Sequence, residues 1–235
     1  MTQNELDELL VEHKKWLTDE TQGKRLELRG VGLQDMKLSE QYLSRAILDD
    51  VDLSFADLRK ADLYKAQLKN VSFRQANLLE SYFSESVLED VDFTRANVRE
   101  AELFFGVSRR LKFDEAQMQE AKLIKANLID VSFYKANLQN ASLRRIHIHD
   151  GSFYLANLRG ANLTATKLFN VDLRETDVTG ADFAHAKIGL IKVYGIKGFQ
   201  QTNRAEMGVE KFDISPEGDG SQIISSEQYF KQFIK

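Results

Sequence analysis

Apolar residues in this chain recur at neither the helical nor the strand period, but at every fifth position. From Leu28, Leu33, Leu38 and Leu43 through to Phe183, Ile188 and Val193, 34 positions fall on one register, and 33 of them hold Leu, Phe, Ile, Val or Met. A chain that is 43% hydrophobic does not produce this by chance. The residue two places earlier is small: Ala at 16 of the 34 sites, Val at six, and Ser, Thr or Gly at six more. Polar residues fill the places between, as in ADLRKADLYKAQLKN at 56–70, and the one just before each central position is expected at a corner, with Asp, Asn and Ser serving the turns. A strict period of five drifts off any face of a helix or a strand. A chain that turns a corner every five residues keeps both marked positions inward.

A second period says how many corners make a coil. At a spacing of 20, one set reads Leu33, Leu53, Phe73, Phe93, Phe113, Phe133, Phe153 and Leu173, preceded two places earlier by Val31, Val51, Val71 and Val91. Another set carries Ala56, Ala76, Ala96, Ala116, Ala136 and Ala156 at the small position. Phe and Val gather on one side and Ala on others, so 20 residues form one four-sided turn of a solenoid, repeated about eight and a half times over residues 24–193. With rungs about 4.8 Å apart the rod is ~40 Å long.

These residues resemble the pentapeptide-repeat family, whose consensus is A(D/N)LXX, over residues 24–193. The resemblance implies an all-β, right-handed quadrilateral β-helix with the central Leu or Phe and the preceding Ala inward, leaving no interior room for a ligand. By family habit it also implies a cytoplasmic, bacterial protein. Some members are thought to mimic B-form DNA and bind type II topoisomerases such as DNA gyrase, protecting them from quinolones; others dimerise through a C-terminal helix.

The ends leave the register. In residues 1–23, Thr2 and Glu5 form a capping box before an amphipathic helix over about 3–19, with Leu10, Trp16 and Leu17 on the face that covers the first coil. Gly23 is the expected stop. Residues 194–235 form a C-terminal tail: SPEGDGSQ at 215–222 reads as a loop, and Ser225 with Gln228 opens a short helix near 226–234 bearing Tyr229, Phe230 and Phe233. Open solenoid ends need such caps. The second helix caps the last coil or pairs between subunits, and the sequence leaves both open.

Charge and chemistry narrow the function. There is no cysteine, hence no disulfide or thiolate chemistry. The first 20 residues carry six acidic groups rather than a basic, apolar leader, and no run reaches membrane-spanning length. The rod holds 25 Lys plus Arg against 24 Asp plus Glu, whereas ~40 Å of duplex carries about 24 negative charges. Shape favours a DNA mimic; charge opposes it. A chain of net charge −4 is not expected to bind nucleic acid directly. No phosphate loop, zinc motif or nucleophile elbow is present, and carboxylates spread over a convex rod have no cleft to tune them. His147 and His149 flank the inward Ile148 with no third ligand placed by the repeat, so no metal, cofactor or catalytic residue is assigned.

The outer surface carries the remaining signals. At FFGVSRR (104–110), Gly106 and Ser108 occupy the inward pair, and Phe104 and Phe105 stand outward just before. This reads as a local bulge, with Val107 turning inward, or as a partner-binding knuckle. Ile129, Tyr134, Tyr154, Leu155 and Phe169 form a second outward apolar group, with Tyr134 stacked on Tyr154 one coil away. It marks a protein contact, a homodimer, or a surface covered by the tail. The leading function is a non-catalytic scaffold that contacts a protein partner; the alternative is a gyrase-binding DNA mimic that counters quinolones.

Overall fold

The computed structural model describes residues 1–104 and 106–233, the side chain of Phe233 excepted. Helix α1 (Gln3–Thr18) leads into a parallel stack of strands: β1 (Glu27–Gly32), β2 (Ile47–Asp52), β3 (Gln67–Ser72), β4 (Val87–Glu89), β5 (Val107–Lys112), β6 (Asn127–Ser132), β7 (His147–Ser152), β8 (Lys167–Asp172), β9 (Lys187–Lys192) and β10 (Gly208–Asp213). Then come β11 (Ile223–Ser225) and helix α2 (Ser226–Phe233). From β1 to β9 each strand pairs in parallel with the residue 20 positions on, as in Leu48↔Leu68 and Ile148↔Leu168. The other sides are stitched by single parallel bridges, such as Asp57↔Asn77 and Tyr82↔Glu102. The result is an all-β parallel solenoid of about nine turns.

The five-residue register places the core. Central residues Leu58, Phe73, Phe113 and Leu143, with the Ala two places before many of them, are completely buried. On one side Phe73, Phe93, Phe113, Phe133 and Phe153 form a ring stack with centroids 5.1, 4.6, 5.2 and 4.7 Å apart. Phe83 meets Phe73 and Phe93 edge-on. Its inward neighbours are small: Ser81 and Ser86, whose hydroxyls donate to the Leu78 and Phe83 carbonyls. Bulk added by one ring is offset by small residues beside it.

The corners differ from expectation. The polar residue before each central position, expected there, lies in a bridge instead, where Asn97 Nδ2 donates to Asn77 Oδ1 at 2.9 Å and Asn157 Nδ2 to Asn137 Oδ1 at 3.1 Å. The turn is made by the two residues after the central one. Ala56 N–H donates back to the Leu53 carbonyl, and Phe55 between them has φ +64°, the geometry of a type II turn. The left-handed position recurs every five residues and is often held by long charged residues, among them Lys60, Arg95, Glu120 and Lys135.

After residue 193 the register shifts but the stacking goes on. Asp177 pairs with Lys197 at a spacing of 20, whereas Asp182 pairs with Asn203 and Lys187 with Gly208 at 21. The extra residue enters at the 3₁₀ turn Phe199–Gln201. β11 then runs antiparallel to β10, through Phe212↔Ile224.

Candidate interaction surface

Both caps are built as their capping boxes direct. Thr2 N–H donates to Glu5 Oε2 at 2.7 Å, and Ser225 N–H to Gln228 Oε1 at 2.9 Å. Leu10 is buried, but Trp16 and Leu17 are only half-buried. Leu6 and His13 complete the covered face instead. His13 follows the helical spacing of that face, but its hydrogen-bonding role was not legible. It is fully buried, its Nδ1 accepts from Leu26 N–H at 2.9 Å, and its Nε2–H donates to the Ser44 carbonyl at 3.1 Å. Burial pushes its pKa down, and Arg25 and Arg45 push the same way against the Ser44 bond. Both guanidiniums lie over the Trp16 ring, at 5.6 and 4.5 Å. Gly23 closes the connection: a Cβ there would stand 2.2 Å from the Glu12 carbonyl oxygen. At the far end Tyr229 is buried and stacks on Phe212 at 4.0 Å, with Phe230 half-buried at 5.8 Å from the same ring.

Among the described residues of FFGVSRR, Gly106 to Arg110 keep the register. Ser108 pairs with Leu128, is fully buried, and its hydroxyl accepts from Leu88 N–H at 3.3 Å; Val107 stays outward at 48% exposure. The expected bulge with an inward Val107 is therefore absent. A polar side chain at the core position instead takes a ladder hydrogen bond, and the β4–β5 pairing shortens to Glu89↔Arg109. Phe104 is half-buried on the adjoining side, and Phe105 lies outside the described residues.

That side carries more aromatic surface than Phe104 alone. Tyr42, Tyr64 and Tyr82 line one shallow groove with Glu40, Lys60 and Asp62, and Tyr82 stands one rung before Glu102 in the column next to Phe104. Tyr42 and Tyr82 are 51% and 44% exposed. Sorting outward residues at a spacing of 20, as the inward ones were sorted, would have revealed this group.

The second predicted group is split between two corners. Ile129, His149 and Phe169 form one column on the outer face of β6–β8, with His149 and Phe169 stacked at 4.8 Å. Phe169 lies over Gly189, where a Cβ would come within 2.7 Å of its ring. Tyr134 and Tyr154 stack at 5.8 Å on the next corner, beside the exposed Leu155. His149 Nδ1 is held by Asp150 at 2.6 Å, and hydrogen bonds from Asn170 and His149 lower the Asp150 pKa. His147 stands apart in the neighbouring column. Among the described residues no three His, Cys, Asp or Glu side chains are gathered for a metal, and no helix is long and apolar enough to cross a membrane.

Several aspartates of one corner column are held by hydrogen bonds or ion pairs. Asn70 and Asn170 donate to Asp50 and Asp150, and Arg110 forks onto Asp90 and Glu89. Arg110 holds the Asp90 carboxyl below its usual range.

Against known proteins, the family described as "Pentapeptide repeats" matches in eight copies, over residues 27–64, 38–75, 66–103, 112–150 and 156–188. No curated protein matches the chain. Solved structures that it resembles include HetL, a pentapeptide repeat protein involved in heterocyst differentiation regulation in the cyanobacterium Nostoc sp. strain PCC 7120, at 17% identity and TM-score 0.38, covering 88% of this chain and 96% of that one. QnrB1, a plasmid-mediated fluoroquinolone resistance protein, matches at 13% identity and TM-score 0.48 over 79% of this chain and 92% of its own. Rfr23 of the cyanobacterium Cyanothece 51142 matches at 15% identity and TM-score 0.24 over 88% and 99%.

Proposed function

The chain belongs to the pentapeptide-repeat family, and from that premise we propose that it is a non-catalytic interaction protein that binds a protein partner through the outside of its rod. The observation that carries this reading is the tyrosine groove of Tyr42, Tyr64 and Tyr82 beside Phe104. Aromatic residues concentrate at interface centres because they bury large area at small entropic cost. The interior leaves this surface as the place for recognition, since Leu, Phe and Ala side chains fill it. The division into a cap at 1–23, a rod at 24–193 and a tail at 194–235 belongs to the same proposal, as does a cytoplasmic setting.

Affinity capture from the native host, followed by binding of the purified partner, tests it. Wild type is expected to retain a partner that a Tyr82→Ser/Phe104→Ser variant loses. Equal retention by a folded variant sinks the reading. The alternative, a gyrase-binding DNA mimic, needs a continuous acidic strip. The ion pairs Lys65–Glu85, Arg95–Glu115 and Lys122–Glu102 work against one. Rescue of gyrase supercoiling from a quinolone would favour that alternative.

A further inference from the structure

Where charged residues stack along the rod, opposite signs usually alternate, as in Lys60–Glu80, Lys65–Glu85 and Arg95–Glu115. The outer face of β7–β9 breaks this habit. His147, Lys167 and Lys187 follow one another on a single column, in register. Arg144 and Arg145 stand at the corner just before it. Among the described residues none of these five makes an ion pair, although fifteen pairs are formed elsewhere, from Lys15–Glu12 to Lys197–Glu175. Two ammonium groups on facing positions about 4.8 Å apart repel, and a sheet face under no other demand avoids this. The proton affinity of His147 is depressed, by burial first and by Lys167 second.

Two residues further along the same strands runs a second column, in which the apolar Ile129 and Phe169 flank His149. Phe169 is 52% exposed, and with the small Gly189 and Gly208 it borders an open depression of about 610 Å³ that the two lysines also line. The described carboxylates around the column form no ion pair with it, and Glu206, two residues before the Gly208 that faces Lys187, is held by His185 at 3.1 Å. Asp150 is engaged by His149 and Asn170, each at 2.6 Å, and Glu210 stands at the far end of the depression.

We propose that these parallel columns, one basic and one largely apolar, dock an acidic segment of a protein partner whose carboxylates lie between Lys167 and Lys187 and whose apolar side chains rest on Phe169. This names the chemistry of the partner and rests on the interaction role proposed above. Complementary charge sets the orientation of such a segment, and the half-exposed ring supplies an anchor. The apolar Ile129 and Phe169 favour a protein segment over nucleic acid, as does the net charge of −4.

The test uses the full chain and three labelled probes read by fluorescence anisotropy near physiological salt: a peptide alternating glutamate with leucine, a polyglutamate peptide of equal charge, and a single-stranded oligonucleotide of equal charge. The alternating peptide is expected to bind most tightly. Lys167→Glu should weaken it at least about tenfold, Phe169→Ser severalfold, and Lys24→Glu, exposed at the other end of the rod, not at all. Lys167→Glu should also raise the thermal midpoint, because it restores alternation to the column, an effect opposite to that of damaging the fold. The site is overturned if the alternating peptide fails to bind, if it binds Lys167→Glu unchanged, or if the oligonucleotide binds more tightly than both peptides. A captured partner that still binds Lys167→Glu sinks this site and leaves the interaction role standing. Peptide binding with no partner captured sinks the role and leaves the site.

Discussion

His13 offers the sharpest test of how the solenoid is closed at its start. One imidazole makes two buried hydrogen bonds to backbone groups, accepting from Leu26 N–H and donating to the Ser44 carbonyl. Only the neutral ring with its proton on Nε2 can do both. Replacing it with Phe keeps a ring of similar breadth but leaves a buried donor and a buried acceptor unmatched, each costing about 1–3 kcal/mol. The expected loss is therefore about 2–4 kcal/mol, felt first in the helix and first coil, because a repeat array opens locally. Protonation acts on the same bonds. The folded-state pKa is depressed, so the unfolded chain binds the proton more readily and stability rises with pH. The contribution of His13 is complete above the ordinary histidine range and is lost as pH falls through that range toward the lowered value. Hydrogen exchange at the Leu26 amide and thermal unfolding at pH 8 and pH 5 measure both effects. His13→Phe should exchange faster at pH 8 and lose most of the wild-type difference between the two pH values. The reasoning fails if His13→Phe is as stable as wild type at pH 8, or if the variant keeps the full pH difference.

Other perturbations probe the rod and its far end. Phe133→Ala removes a fully buried ring stacked 5.2 Å from Phe113 and 4.7 Å from Phe153. It should cost about 3–5 kcal/mol, read as raised hydrogen exchange in β5–β7, and slow exchange there would contradict a close-packed ladder. Glu120 sits at φ +61° with no ion pair among the described residues. Glu120→Gly should raise the thermal midpoint by the equivalent of about 0.5–1 kcal/mol, as relief of left-handed strain outweighs the added freedom of the unfolded chain; a lowered midpoint would refute this. Deleting 222–235 removes β11 and α2 and uncovers Phe212. Light scattering should show aggregation, and a soluble monomer would rule out capping by this segment.

Much of this fold could be read in advance because one rule places every inward side chain. A residue's place in the five-residue register determines whether it is buried, and its place in the 20-residue period determines its side, so the Phe73–Phe153 stack was visible in the letters alone. What escaped depends on partners far along the chain or on backbone geometry. His13 looked like one more residue on an amphipathic helix, because its partners lie 13 and 31 residues away and are backbone groups without a sequence signature. The left-handed corners were expected to use Asp, Asn and Ser, yet many hold Lys, Arg or Glu, since the hydrogen bonds of neighbouring coils impose a conformation that local preference would not choose. Tyr42 and Tyr82 escaped notice because Asp62 separates them on their column, whereas Tyr134 and Tyr154 are direct neighbours. Ile129 and Tyr134 are close in sequence, but five residues is one side of the rod, so they stand on different corners.

The reversal of β11 has a consequence for the directionality of assembly. Ten parallel strands alone would leave complementary open edges at the two ends, so two rods could join nose to tail like links of one chain. At the tail the last exposed strand runs against the others, and an incoming first rung meets mismatched donors and acceptors. At the nose the obstacle is a helix tied down by His13, which proton uptake can loosen. Strand addition is therefore opposed at both ends, by a helix at one and by a reversed strand at the other.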